Sequence, residues 1–145
     1  MTPTRRIDTP HGPAVAHLHL AGDPRAALVL GHGAGGGVAA GDLVAATRAA
    51  ADEGLAVVLV EQPYRVAGRR SPPRAPQLDA AWTAVLEALA GDELRGLPLV
   101  TGGRSAGARV ACRTAAATGA AGRRPGPEPP GRARRGRGSG AGRAG

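Results

Sequence analysis

The sequence contains no lysine and no phenylalanine, and it has one tryptophan (Trp82), one tyrosine (Tyr64) and one cysteine (Cys112). With so few rings, any core must be assembled from Ala, Val and Leu. A lone cysteine excludes an intrachain disulfide and fits a reducing compartment, so a cytoplasmic location is expected. No apolar run approaches the ~18 residues that span a bilayer, and Arg5-Arg6 is not followed by the apolar segment of a signal peptide. No membrane partner is expected.

Every basic residue is arginine, and the accompanying bias to Ala, Gly and Pro has the character of a GC-rich gene. The formal net charge is +8, but residues 123–145 hold seven Arg and one Glu, leaving residues 1–122 nearly neutral at +2. Nucleic-acid binding through this tail is one alternative that the charge suggests. The tail lacks the aromatic residues on which bases stack, which argues against such a partner. From Arg123 the text runs "RRPGPEPPGRARRGRGSGAGRAG", without one Val, Leu, Ile or aromatic residue. Such a segment buries no core and is expected to be disordered. One modest domain over residues 1–122 followed by this tail is the expected organisation.

Within the first 122 residues the pattern alternates between strand and helix. Residues 14–20 ("AVAHLHL"), 26–30 ("AALVL"), 55–60 ("LAVVLV") and 97–101 ("LPLVT") predict strands, the third apolar on both faces as a buried parallel strand is. Residues 42–53, 77–90 and 105–117 predict helices, the second with Leu78, Trp82, Val85, Leu86 and Leu89 in one stripe. Alternation of this kind predicts a three-layer α/β/α architecture on a mostly parallel sheet. A further apolar strand is due near Ala120 and does not appear. A shift of reading frame near residue 122 would produce that break.

Three motifs carry chemistry. Gly103-Arg104-Ser105-Ala106-Gly107 fits G-x-S-x-G between a strand and a helix, the nucleophile elbow, where glycines permit a sharp turn that lifts the serine hydroxyl clear of the sheet. The N–H of Ala106 can then face a developing oxyanion. An ordinary glycine-rich turn with Ser105 as helix N-cap is the alternative. "GHGAGGG" (residues 31–37) fits an oxyanion loop in which the N–H of Ala34 is the second donor. It also fits the dinucleotide fingerprint G-x-G-x-x-G through Gly31, Gly33 and Gly36, with Glu61 as ribose-binding acid. That alternative would place Gly35, Gly36, Gly37 and Gly41 inside a helix, at ~1 kcal/mol each. The third motif, "EQPYRVAGRRSPP" (residues 61–73), overhangs the same sheet edge and offers Tyr64 and Arg65, with His32 of the oxyanion loop, as substrate-loop candidates. Arg69 and Arg70 read as solvated. His17 and His19 fall on a strand, His11 in a turn, and Cys112 reads as a small core residue. No cofactor and no metal site are expected.

Together "LVLGHGAGGG", "VVLVEQPYRVAGRRSPP", "QLDAAW" and "LVTGGRSAGARVACRTA" resemble an α/β-hydrolase-fold protein over roughly residues 12–122. The resemblance is to small bacterial hydrolase-like proteins related to dienelactone hydrolases and to the testis-expressed hydrolase-like proteins of animals. It implies Ser105 as nucleophile, Ala34 and Ala106 as oxyanion donors, and a small ester or thioester as substrate. It also implies an acid and then a histidine after the serine. Here the only acid after Ser105 is Glu128 and there is no histidine. A serine without a general base is a weak nucleophile, so little or no turnover is expected.

Overall fold

The computed structural model describes residues 2–119. The tail read from Arg123 onward, and the point near Ala120 where a further strand is due, lie outside them. The element order is β1 (Thr4–Ile7), β2 (Ala14–His19), β3 (Ala27–Gly31), α1 (Gly41–Asp52), β4 (Ala56–Glu61), α2 (Pro63–Val66), α3 (Ala75–Gly91), β5 (Leu99–Gly103) and α4 (Ala106–Thr118). The described strands form one sheet in the order β1-β2-β4-β3-β5.

The centre of the sheet is parallel, with Val29 of β3 opposite Val58 of β4 on one side and Thr101 of β5 on the other. β4 reads Ala-Val-Val-Leu-Val before Glu61, and all five apolar residues are buried, as a strand covered on both faces requires. The sheet is mixed rather than mostly parallel, because β1 and β2 join it antiparallel. A parallel return needs a crossover of a dozen or more residues, and the chain between β1 and β2 instead reverses at a turn in which Thr9 and Gly12 exchange backbone hydrogen bonds. β1 is too short to announce itself by periodicity. It is held by Ile7, which is buried, and by an ion pair from Arg5 to Glu93.

Successive residues of β4 face opposite layers. Val58 and Val60 join a cluster with Leu78, Trp82, Val85, Leu86 and Leu89 of α3 and with Val110 and Ala111 of α4. Val57 and Leu59 join Leu30 with Leu43 and Ala50 of α1. The result is the expected α/β/α sandwich. Trp82, the largest fully buried side chain, is 1% exposed; burying a large apolar side chain contributes about 1.5–3 kcal/mol, so α3 is anchored mainly by its stripe. A bidentate pair from Arg113 to Asp79, with Nη2 to Oδ1 at 2.8 Å and Nε to Oδ2 at 2.9 Å, ties α4 to α3. No described helix is long and apolar enough to cross a membrane.

Candidate active site

Parallel strands β3, β4 and β5 end at one edge of the sheet, and three segments follow them there: the glycine loop after Gly31, the Gln62–Pro73 stretch, and the turn carrying Ser105. The turn is tight because two glycines let backbone meet backbone. A Cβ at Gly103 would stand 2.6 Å from the Gly31 carbonyl oxygen, and one at Gly107 would stand 2.7 Å from that of His32. The Arg104 N–H donates to the Gly31 oxygen at 3.0 Å and the Gly107 N–H to the Arg104 oxygen at 2.9 Å, closing the turn.

Ser105 sits at its tip with φ 51° and ψ −112°, the only non-glycine residue with positive φ among the described residues. It stands at the N-cap position of α4 but makes no side-chain capping bond, and it is exposed. A capping serine takes extended backbone angles and hydrogen-bonds the first turn; Ser105 does neither. The glycine loop lies against it, since a Cβ at Gly33 would be 3.8 Å from the Ser105 Cβ. Ala34 of that loop, Ala106 of α4 and Arg109 line one cleft of about 200 Å³. The N–H groups of Ala34 and Ala106 have no backbone acceptor among the described residues.

His32 is 3% exposed. Its Nε2 accepts from the Gln62 N–H at 3.0 Å, which leaves Nδ1 protonated and donating to the Gly33 carbonyl at 2.8 Å. Burial holds its pKa below the usual 6.5, outweighing the opposing bond to Gly33 and the nearby Glu61 charge. The ring thus pins the glycine loop to the end of β4, with both nitrogens occupied. Tyr64 adds a second tie: its hydroxyl donates to the Ala34 carbonyl at 2.7 Å, and its ring meets His32 edge-on at 5.8 Å between centroids. Burial pushes the Tyr64 hydroxyl pKa up, against the pull of Arg65. Arg65 is half-buried and donates to the Arg69 carbonyl at 3.1 Å. Its Nη2 lies 4.0 Å from where a Gly37 Cβ would be.

The dinucleotide alternative loses its parts here. α1 starts at Gly41, after the glycine run, so no helix N-terminus meets Gly31, Gly33 and Gly36 as pyrophosphate binding requires. Glu61 is engaged with His17 Nε2 at 3.1 Å on the neighbouring strand.

The sequence profile of the alpha/beta hydrolase domain matches residues 24–124. The chain belongs to the α/β-hydrolase family. Among solved structures this chain is similar to an α/β serine hydrolase without lid from Xanthomonas campestris, at 22% identity and TM-score 0.70, over 82% of this chain and 57% of that one. It is similar to a dienelactone hydrolase from Anabaena variabilis at 15% identity and TM-score 0.69, over 81% of this chain and 57% of that one. Similarity to the Pyrobaculum calidifontis esterase reaches 26% identity and TM-score 0.62, over 83% and 41%. The α/β-hydrolase chain described here thus spans little more than half the length of the first of these. No curated protein matches it.

Two site residues escape motif reading. Gln62 supplies the N–H that fixes His32, and its side-chain Nε2 donates to the Leu78 carbonyl at 3.2 Å. Nothing in its sequence context marks it beyond its place after the central strand. Arg109 follows Ser105 by four residues, and that spacing alone puts it one helical turn below the serine.

Proposed function

We propose that this chain carries the serine-hydrolase site of an esterase or thioesterase, with Ser105 as nucleophile and the N–H groups of Ala34 and Ala106 as oxyanion donors, within the domain of residues 1–122. The observation that carries the reading is the backbone of Ser105. A non-glycine residue in such a conformation costs about 1–3 kcal/mol and persists where the surroundings over-determine it. Gly31, Gly103 and Gly107 supply that constraint, and the uncapped, exposed hydroxyl is the outcome.

In this reading the Ser105 Oγ attacks the acyl carbon of a small ester, and its proton passes to solvent. The carbonyl oxygen takes up negative charge facing the Ala34 and Ala106 N–H groups. As the oxyanion collapses, the C–O or C–S bond breaks and the alcohol or thiol leaves, giving an acyl-serine that water hydrolyses. His32 does not serve as base, because Nε2 accepts the Gln62 N–H and Nδ1 donates to Gly33. Acylation by activated esters, whose leaving groups depart without help from a general acid, is the step this site is expected to perform.

Incubation with p-nitrophenyl acetate followed by peptide mass mapping tests this. The expected result is one acetyl group on Ser105 with one equivalent of nitrophenolate released, both absent in Ser105→Ala. Acetylation confined to other residues, unchanged in Ser105→Ala, contradicts it.

A further inference from the structure

The cleft that holds Ala34 and Ala106 has an unbalanced charge. Three arginines are carried by the turn and by α4: Arg104, Arg109 and Arg113. Arg104 faces Asp42 at 3.4 Å, and Arg113 is held bidentate by Asp79. Arg109 lies between them in sequence, lines the cleft with Arg113, and is exposed. It has no carboxylate within ion-pair distance among the described residues. Its backbone N–H donates to the Ser105 carbonyl at 3.1 Å, so its Cα is fixed one turn from Ser105 while its guanidinium has no partner among the described residues.

Apart from the two arginines the cleft lining is apolar: Pro72, Ala75 and Leu78 line it with the two alanines. The same cleft thus brings together a guanidinium without a carboxylate partner among the described residues, an apolar lining, and Ala34 and Ala106, whose N–H groups have no backbone acceptor there. Arginine pairs with carboxylate through two parallel N–H···O bonds, a geometry a neutral group does not reproduce. Arg113, which also lines the cleft, already has its fork occupied by Asp79.

We propose that the site takes small esters carrying a free carboxylate on a short apolar acyl chain, and that Arg109 is the residue that selects them. This rests on the proposed function above, and it adds the substrate class and a specificity-determining residue. Arg109 acts on the substrate's far end, so it governs which ester binds rather than the reactivity of Ser105.

Binding, not turnover, is the measurement that isolates this proposal. Amide spectra of the full chain are titrated with monomethyl succinate, an anionic ester, and with dimethyl succinate, its neutral counterpart. The expected result is saturable shifts at Ala34, Ala106 and Arg109 with the monoester, about tenfold tighter than with the diester, the factor typical of one hydrogen-bonded charge. Arg109→Gln removes the preference, Arg109→Lys keeps part of it, and Arg69→Gln, which alters the separate cleft beside His11 and Ser71, leaves it intact. Equal binding of the two esters, no binding of either, or a preference unchanged in Arg109→Gln overturns the proposal. Ser105→Ala is expected to retain the preference, so a serine that proves unreactive removes the hydrolase reading without touching this result.

Discussion

A Cβ on Gly103 would stand 2.6 Å from the carbonyl oxygen of Gly31, so the strand that leads into the Ser105 turn and the strand that leads into the glycine loop meet backbone to backbone. Neither carbonyl nor main chain yields as a flexible side chain would. Gly103→Ala is expected to destabilise the protein by on the order of 3 kcal/mol or to prevent folding. Gly35→Ala, two positions beyond Gly33 in the same loop but with nothing within 4 Å of the added Cβ, is expected to be nearly neutral. Urea unfolding of the two variants provides the comparison, and equal effects would mean that the turn is looser than described.

The strain at Ser105 has its own signature. Glycine accepts positive φ without a Cβ penalty, so Ser105→Gly is expected to be more stable than both the parent and Ser105→Ala, by about 1 kcal/mol. Thermal unfolding at neutral pH reads the order of the three. Ser105→Ala as stable as Ser105→Gly would show that φ at this position carries no cost.

His32 makes the fold sensitive to acid. Its neutral form is favoured in the folded state by burial, whereas in the unfolded chain it titrates near 6.5. Above that value both states hold the ring neutral and its contribution to stability is complete. As pH falls below it, the unfolded chain takes up a proton that the folded one refuses, and stability declines until the folded pKa is reached. Melting temperature is expected to fall between pH 7 and pH 5, and the ring ¹⁵N shifts of His32 are expected to report Nδ1–H and a bare Nε2 at pH 7. Protonation of His32 at or above the ordinary value contradicts this.

Tyr64 holds the glycine loop by a single hydroxyl. Tyr64→Phe removes the bond to the Ala34 carbonyl while keeping the ring against His32, at a cost of about 1 kcal/mol. Because the bond positions the Ala34 peptide, acylation of Ser105 by p-nitrophenyl acetate is also expected to slow severalfold. A stability loss with an unchanged acylation rate would separate the loop from the chemistry.

What could be read from the sequence was whatever repeats or punctuates. The apolar run before Glu61, the Leu78–Trp82–Val85–Leu86–Leu89 stripe and the glycines around Ser105 each have a period or a turn chemistry, and each led to the observed element within a few residues. β1 and α2 escaped because four residues carry no period. β1 is fixed instead by Ile7 and by the distant Glu93, and α2 by Pro63 at its first turn. The antiparallel entry of β2 follows from the short turn at Thr9–Gly12, which reads in sequence as an ordinary loop. Within the site, the serine and the glycine loop are local patterns and were visible. The roles of His32 and Gln62 depend on a hydrogen bond between residues thirty apart, and that Arg109 has no ion-pair partner among the described residues depends on which partners Arg104 and Arg113 find across the fold. Such pairings exist only once the chain is folded.

The most direct test of the central claim is intact-mass and peptide analysis after exposure to a neutral fluorophosphonate. One adduct per chain, mapped to Ser105 and absent in both Ser105→Ala and the unfolded parent, is the result the account predicts. Folded protein that takes up no adduct at Ser105, or takes it up no faster than unfolded chain, would contradict it.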